Sequence, residues 1–540
     1  MLTSVPSPAF LLANSFTAAA SRAVDSFLDN TFQGVHHLQA FDYAVLIPYF
    51  SVLIVLSFYG LHRFEMIRGY FKHRKKFPPQ PTQFFEHLPR VTIQLPIYNE
   101  QFVVERLLEE TCKMDYPREL LQIQVLDDST DETHPYTERL CREYREAGHP
   151  VEYIHRTNRH GYKAGALQNG LKSATGEFVA IYDADFLPPA EFLQRTIQHF
   201  ANPKIGMVQT RWGYLNRHYN VLTEVQSMLL DGHFVLEHVA RAGSGRFFNF
   251  NGTAGIMRIS MIDDAGGWQH DTLTEDSDLS YRAQLKGWKF LYDPTVECLS
   301  ELPVDTYGFQ VQQSRWAKGL TQVAMKLLRT ILKSDQPFHV KLEAFCHLTP
   351  NITYPMMVIV SAMMLPVMIV RFYMGWLEML LIDLPLIIAS FWSLSLFYIL
   401  AQRVLFPNNW KRSLWFLPAL MAAGVALTII NTRAVIEALI GHQTAFARTP
   451  KYAINGDKKI QIKNTYRSRS GWLPYAELAC GSFFLFMVWF AIDSFNYMAI
   501  PFLMLFVGGY FWAGSTTLWQ EYQGKLAFER QQALATERSL

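Results

Sequence analysis

The sequence predicts an α/β domain on the cytoplasmic side of a membrane, joined to an α-helical transmembrane region. Three observations predict it. Runs free of Asp, Glu, Lys and Arg occur at 43–61, 350–370, 384–402 and 413–432, and at 478–520 with Asp493 as the one interruption. Between 62 and 340 no comparable run occurs, and β-rich segments alternate with helical ones. Charged residues make up 18% of the chain and hydrophobic residues 50%. Soluble domains carry about 25% charged residues, so both a disordered chain and a wholly soluble one are excluded. Lys plus Arg number 49 against 47 for Asp plus Glu, a net charge of +2, without the basic excess of a nucleic-acid binder. The five cysteines form no CxxC pair, which excludes a disulfide framework and a zinc ribbon.

The first apolar run, 43–61, matches the roughly 20 residues needed to cross a bilayer. It ends against Arg63, Arg68, Lys72, Arg74, Lys75 and Lys76, and clustered bases mark the cytoplasmic side. Residues 1–42 are therefore expected as an external or interfacial segment. The basic stretch with Lys458, Lys459, Lys463, Arg467 and Arg469 is also expected inside. An even number of crossings must then separate it from residue 340, yet three apolar runs lie between. The run at 413–432 continues into the mixed segment 433–442, so it is expected to lie in the interface plane. The expected organisation is a transmembrane helix at 43–61, a cytoplasmic domain at 62–340 and transmembrane helices two and three within 341–402. An interfacial helix and cytoplasmic loop follow over 403–472, then helices four and five within 473–520 and a cytoplasmic tail at 521–540.

Within the cytoplasmic domain, 91–95 reads as a strand and 101–113 as a helix, with Asn99 as its N-cap. A second strand, 121–126, ends at Asp127-Asp128-Ser129, and a third spans 151–154. The fourth, 178–182, ends at Asp183-Ala184-Asp185. This alternation implies a largely parallel sheet, whose ligands sit at the carboxyl ends of the strands. Both acidic pairs fall there.

Asp183 and Asp185 are one residue apart, so in an extended segment they face the same way. Two such carboxylates make a hard-oxygen site for Mg²⁺ or Mn²⁺; the plainer reading is a DxD in an ordinary loop. Glu275 and Asp276 open a helical pattern that runs to Lys286 and closes at Gly287, with Thr274 as candidate cap. Acids there favour the helix dipole, or serve as a general base towards a hydroxyl. Gln312, Arg315 and Trp316, spaced i, i+3, i+4, share one helix face. Trp offers a flat surface for a sugar ring and Arg a bidentate partner for diphosphate, although both residues are also common beside membranes. Gly161 and Lys163 stand at a loop-to-helix junction suited to phosphate. Residues 247–253, aromatic and polar, read either as the lining of an acceptor site or as a core strand and turn.

Together these motifs resemble a known family. Pro96-Ile97-Tyr98-Asn99-Glu100, Asp127-Asp128, Asp183-Ala184-Asp185, Thr274-Glu275-Asp276 and Gln312-Gln313-Ser314-Arg315-Trp316 stand in the order found in processive family 2 glycosyltransferases. The chain resembles the cellulose synthase superfamily, and within it the cellulose synthase-like A and C branches. That closer likeness rests on 158–167, 183–186, 247–255, 265–268 and 285–288. The resemblance covers about residues 90–330 and the membrane layout.

It implies a GT-A fold and an inverting transfer that depends on Mg²⁺ or Mn²⁺. The donor would be GDP-mannose or UDP-glucose, and the product a β-linked glucan, mannan or glucomannan, β-1,4-linked, passed across the bilayer. By motif match, Pro96, Tyr98, Glu100, Asp128 and Lys163 would contact the nucleotide, Asp183 the diphosphate and metal, and Asp185 the metal. Asp276, beside Glu275, would be the base. Gln312, Arg315 and Trp316 would position the acceptor end and the leaving diphosphate. Lys451 sits where the family has a cytoplasmic gating loop and would cover the diphosphate, a basic surface turn being the plainer reading. Two other readings stay open: a non-processive enzyme glycosylating a lipid carrier, and an inactive membrane partner subunit.

Overall fold

A computed structural model describes residues 39–371, 385–386, 388–444, 451, 453–454, 471–494 and 496–539. The expected N-terminal segment up to residue 38 and the basic stretch at 458–469 lie outside these residues.

The α/β domain holds a sheet of seven strands: β1 Val91–Ile97, β2 Leu121–Asp127, β3 Val151–His155, β4 Phe178–Ile181, β5 Ile205–Tyr214, β6 Gly255–Arg258 and β7 Lys289–Ser300. Their order is β3-β2-β1-β4-β6-β5-β7. β6 runs antiparallel to both neighbours, while β1, β2, β3 and β4 are mutually parallel and β5 is parallel to β7. Alternation along β1 sorts its faces. Val91, Ile93, Leu95 and Ile97 join one apolar cluster with Val103, Val104, Leu107 and Leu108 of helix α1 (Gln101–Cys112). On the other face Thr92 and Gln94 hydrogen-bond Gln122 and Gln124 at 2.8 and 3.1 Å, which gives the buried Gln94 Nε2 a partner. The parallel register sets Ile97 beside Asp127, and Asp127 beside His155. The strand ends therefore finish level.

Two local expectations are corrected. Asn99 does not cap α1: Glu100 stands at the cap position. Asn99 is left-handed at φ +53°, donates its N–H to Ser129 Oγ at 2.8 Å and accepts from Thr130 N at 2.9 Å. It is spent on tying the end of β1 to the turn after β2. Residues 247–253 form no strand; they are an irregular segment leading into β6. Helix α2 spans Thr133–Glu146, α3 Tyr162–Gly170, and α4 Val221–Asp231 continues through a π-helical turn, Gly232–Glu237, into α5 His238–Ser244. Helix α6 spans Glu275–Leu285, with Gly287 beyond its end at φ +93°, a conformation that suits glycine. Helices α7 Thr306–Lys333 and α8 Phe338–Leu348 complete the domain.

On the membrane side, the long helix Ala40–His73 runs on past the apolar residues 43–61. Its Met66, Ile67 and Tyr70 enter one core with Phe234 and Val239 of the domain and with Phe397, Tyr398, Leu420 and Ala423. Among the described residues, five helical segments are long and apolar enough to cross a membrane: Ala40–Lys76, Pro350–Arg371, Ile388–Leu405, Trp410–Leu439 and Leu473–Asp493.

Contacts with the domain place the ends of these segments. Gln402 donates to Asp231 at 2.7 Å, so the end of Ile388–Leu405 sits on α4. Glu437, near the end of Trp410–Leu439, pairs with Lys318 of α7 at 2.9 Å. Glu477, at the start of Leu473–Asp493, accepts from Gln310 of α7 at 2.6 Å. Gln520 in the last helix, Ile500–Ser539, accepts from Thr306 N at 3.1 Å.

Candidate active site

The ends of β1, β2 and β4, the start of α6 and one face of α7 surround a single hollow. All thirteen residues predicted for nucleotide, metal, base and acceptor roles line it: Pro96, Tyr98, Glu100, Asp128, Lys163, Asp183, Asp185, Glu275, Asp276, Gln312, Arg315, Trp316 and Lys451. They arrive from parts of the chain up to 355 positions apart, Pro96 to Lys451.

Each of the two DxD carboxylates meets a lysine. Asp183 is in contact with Lys163, whose Nζ also donates to the Gly252 carbonyl at 2.9 Å. Asp185 accepts from Lys451 Nζ at 2.5 Å, and Lys451 donates in addition to the Glu301 carbonyl at 3.1 Å. Asp128 is forked by Arg156, one arm at 2.7 Å. Gly161, left-handed at φ +73°, stands at the cap position of α3 and sets Lys163 in the first turn of that helix.

Asp276 lies in the first turn of α6. Its Oδ1 accepts from the Ser277 N–H at 2.7 Å. Its Oδ2 faces Gly252, where an added Cβ would come within 3.1 Å of that oxygen and 3.5 Å of Lys163 Nζ. Glycine at φ +82° is what lets this wall approach. Burial, then the Glu275 carboxylate, pushes Asp276 up to about 7. Glu275 is raised chiefly by burial as well. Burial pulls the Arg315 guanidinium down, opposed by the field of Glu275, Asp183, Asp276 and Asp185. Lys163 is raised: burial opposes its charge, but Asp183, Glu275 and Asp276 outweigh it. The arrangement combines acceptor-only oxygens, fixed cations and a proton-accepting carboxylate held near neutrality.

The sequence profile described as "Glycosyltransferase like family 2" matches residues 89–319, the stretch that supplies nearly all of this hollow. The chain is also similar to curated mannosyltransferases. "Glucomannan 4-beta-mannosyltransferase 9" of Arabidopsis thaliana is 43% identical over 249 residues, 45% of this chain and 47% of that one. "Glucomannan 4-beta-mannosyltransferase 1" of Cyamopsis tetragonoloba is 40% identical over 270 residues, 49% and 51% of the two chains. Residues 89–319 are thus similar to a family 2 glycosyltransferase domain. The chain spans about half the length of the curated relatives it matches. Among solved structures, a mannosyltransferase of Pyrobaculum calidifontis in complex with GDP-Man and Mn²⁺ aligns at 22% identity and a TM-score of 0.48, over 72% of this chain and 99% of that one.

Sequence reasoning missed several residues in and around the hollow. Arg156 was readable in principle: pairing β3 to β2 at Asp127 and His155 brings the next residue of each strand together. Arg159 lies 3.3 Å from the Tyr98 ring centroid and had no signal beyond the loop it belongs to. Glu301 and Trp212 also line the hollow, as does Asn251 of the 247–253 segment, for which such a lining was one of the two readings. They come from β5, the segment before β6 and the end of β7, whose order in the sheet no local pattern encodes.

Proposed function

We propose that this chain is a membrane-embedded inverting β-mannosyltransferase, which extends a β-1,4-linked mannan or glucomannan from GDP-mannose and feeds it to the adjoining helices. One observation carries the proposal: the acidic strand ends, the base-bearing turn of α6 and the Gln-x-x-Arg-Trp face of α7 share one hollow beside the apolar bundle. The names of the curated relatives favour mannosyl over glucosyl transfer.

In this reading the Tyr98 and Asp128 wall holds the nucleotide, and Arg315 and Lys163 neutralise diphosphate. Trp316 and Gln312 seat the acceptor sugar. Asp276 takes the proton of the attacking hydroxyl as the new bond forms at the anomeric carbon and the bond to the diphosphate oxygen breaks. Asp183 and Asp185 fit a divalent cation: both are oxygen ligands in the hollow, and each already faces a positive charge. When bound, Mg²⁺ or Mn²⁺ would take up charge on the leaving diphosphate.

The contacts of helix ends with the domain support five crossings. Ala40–His73 makes one, Pro350–Arg371 with Ile388–Leu405 makes two, and Leu473–Asp493 with the apolar part of Ile500–Ser539 makes two. Trp410–Leu439 is tied to the domain near both ends, indirectly at Ser413, which donates to the Gln402 that itself pairs with Asp231 of α4, and directly at Glu437, which pairs with Lys318, and would make no net crossing.

Purified protein in detergent, given GDP-mannose or UDP-glucose with Mg²⁺ or Mn²⁺, tests the proposal. Polymer from GDP-mannose alone is expected. Transfer of a single sugar to co-purified lipid would replace polymerisation with glycosylation of a lipid carrier, and polymer from UDP-glucose alone would overturn the donor.

A further inference from the structure

The wall facing Asp276 is held from behind by two histidines. Asn251, on that wall, donates Nδ2–H to His233 Nε2 at 2.9 Å and accepts at Oδ1 from His238 Nε2–H at 2.7 Å. These two bonds are compatible with one pair of neutral tautomers only. His233 must leave Nε2 bare and carry its proton on Nδ1, which reaches Glu237 Oε2 at 2.9 Å. His238 must carry its proton on Nε2, and its buried Nδ1 has no partner among the described residues. Burial keeps His238 well below the ordinary imidazole value, in its neutral form.

His233 and His238 are five residues apart, which on an α-helix separates them by about 140°. They nevertheless share a face, ring centroids 4.3 Å apart. The π-helical turn Gly232–Glu237 makes this possible, its i to i+5 hydrogen bond running from His238 N to His233 O. Such turns are rare and concentrate at functional sites. Gly232 opens the turn against Phe397 and Tyr398, whose rings occupy the space a side chain would need.

We propose that His233 and His238 are positioning residues: they clamp the Asn251 amide and so fix the Gly252 wall against Lys163 and Asp276. Asn251 N–H donating to Gln209 Oε1 at 2.9 Å anchors the backbone, and the two histidines fix the side chain. The inference deepens the proposed transfer reaction and rests on it for its kinetic readout.

The test compares the full-length parent with His233→Gln, His238→Gln, His233→Leu and His238→Phe. Gln Oε1 or Nε2 stands near the place of imidazole Nε2 and keeps the bond, whereas Leu and Phe fill the volume without it. The Leu and Phe variants are expected to lose kcat by about 10- to 100-fold, with donor KM within about threefold of the parent, as displacement of a reacting group by a fraction of an ångström does. Deuterium uptake by residues 247–254 should rise in the same variants, and the Gln variants should restore both. If an apolar variant fails to fold, Asn251→Ala removes the clamped amide and keeps both histidines; parental kcat in that variant overturns the inference. So do parental kcat and uptake in Leu and Phe variants, or Gln variants as impaired as apolar ones. A parent that transfers no sugar would sink the proposed function instead, and the deuterium uptake alone would then decide the clamp.

Discussion

At the scale of single residues, the site turns on where charge is tolerated. Asp276 keeps one oxygen on the Ser277 N–H and leaves the other facing the Gly252 wall. Replacing it by Asn keeps shape and hydrogen-bonding capacity but removes the proton acceptor. Asp276→Asn is expected to cut transfer by about 10²-fold or more while nucleotide affinity stays nearly unchanged; a variant with parental turnover would remove Asp276 from the mechanism. The same carboxyl is raised to about 7, so it is protonated at pH 5 and increasingly ionised above 7. A base acts when ionised, so kcat/KM should rise with pH up to that region and then level off. A profile flat from pH 5 to 8 would contradict the assignment. At Asp183 and Asp185 a different logic holds: the lysines facing them keep both carboxylates compensated within the hollow, and a buried charge without a partner is costly.

At the scale of elements, three helices are fastened by one buried ionic cluster. Glu343 of α8 accepts from Arg241 of α5 at 2.8 Å and meets His62, just past the apolar run of the long N-terminal helix, at 3.0 Å. Removing one partner of a buried pair strands the other, at about 3–5 kcal/mol. Glu343→Gln should therefore lower the melting temperature clearly, and no change would mean that the cluster relaxes by other contacts. The sign of its pH dependence follows from the carboxyl. Burial opposes its ionisation, but His62 and Arg241 hold it down at about 2, against an ordinary value of 4.5. Its stabilisation is complete above the ordinary value and is lost as pH falls from there towards 2. In the parent, stability should decline over that acid window, and less steeply in Glu343→Gln. The elements themselves were largely readable. Strands near 91, 121, 151 and 178, α1 and the turn into α6 follow from alternation and from glycine and acidic punctuation. Asn99 misled because Asn serves caps and turns equally well, and only the neighbouring Ser129-Thr130 turn decides between them.

At the scale of the whole molecule, the domain and the bundle share a core. Met66 and Tyr70 from the N-terminal helix, Val239 from α5 and Phe397 and Tyr398 from the bundle pack in one cluster. The hollow is thus held against the helices by apolar contact rather than by a tether. The topology proposed from the helix ends is testable by labelling single introduced cysteines in sealed vesicles, against the background of the parent. Ser494→Cys should react with an impermeant thiol reagent from the side opposite the domain, and Asn408→Cys and His442→Cys both from the domain side. Opposite labelling of the last two would make Trp410–Leu439 a crossing and change the count.

The sequence by itself determined what depends on neighbours along the chain. Charge-free runs located the apolar segments because a helix in lipid satisfies its own backbone and needs only apolar side chains. Strand alternation placed Asp128 and the DxD at strand ends because pleating has a fixed period of two. Tertiary structure alone decided that Lys451 meets the Asp185 carboxylate and that His233 and His238 meet the Asn251 amide. Lys451 and Asp185 are 266 positions apart. Such a pairing depends on how distant elements pack and on the order β4-β6-β5-β7, and neither is written in any local period of residues.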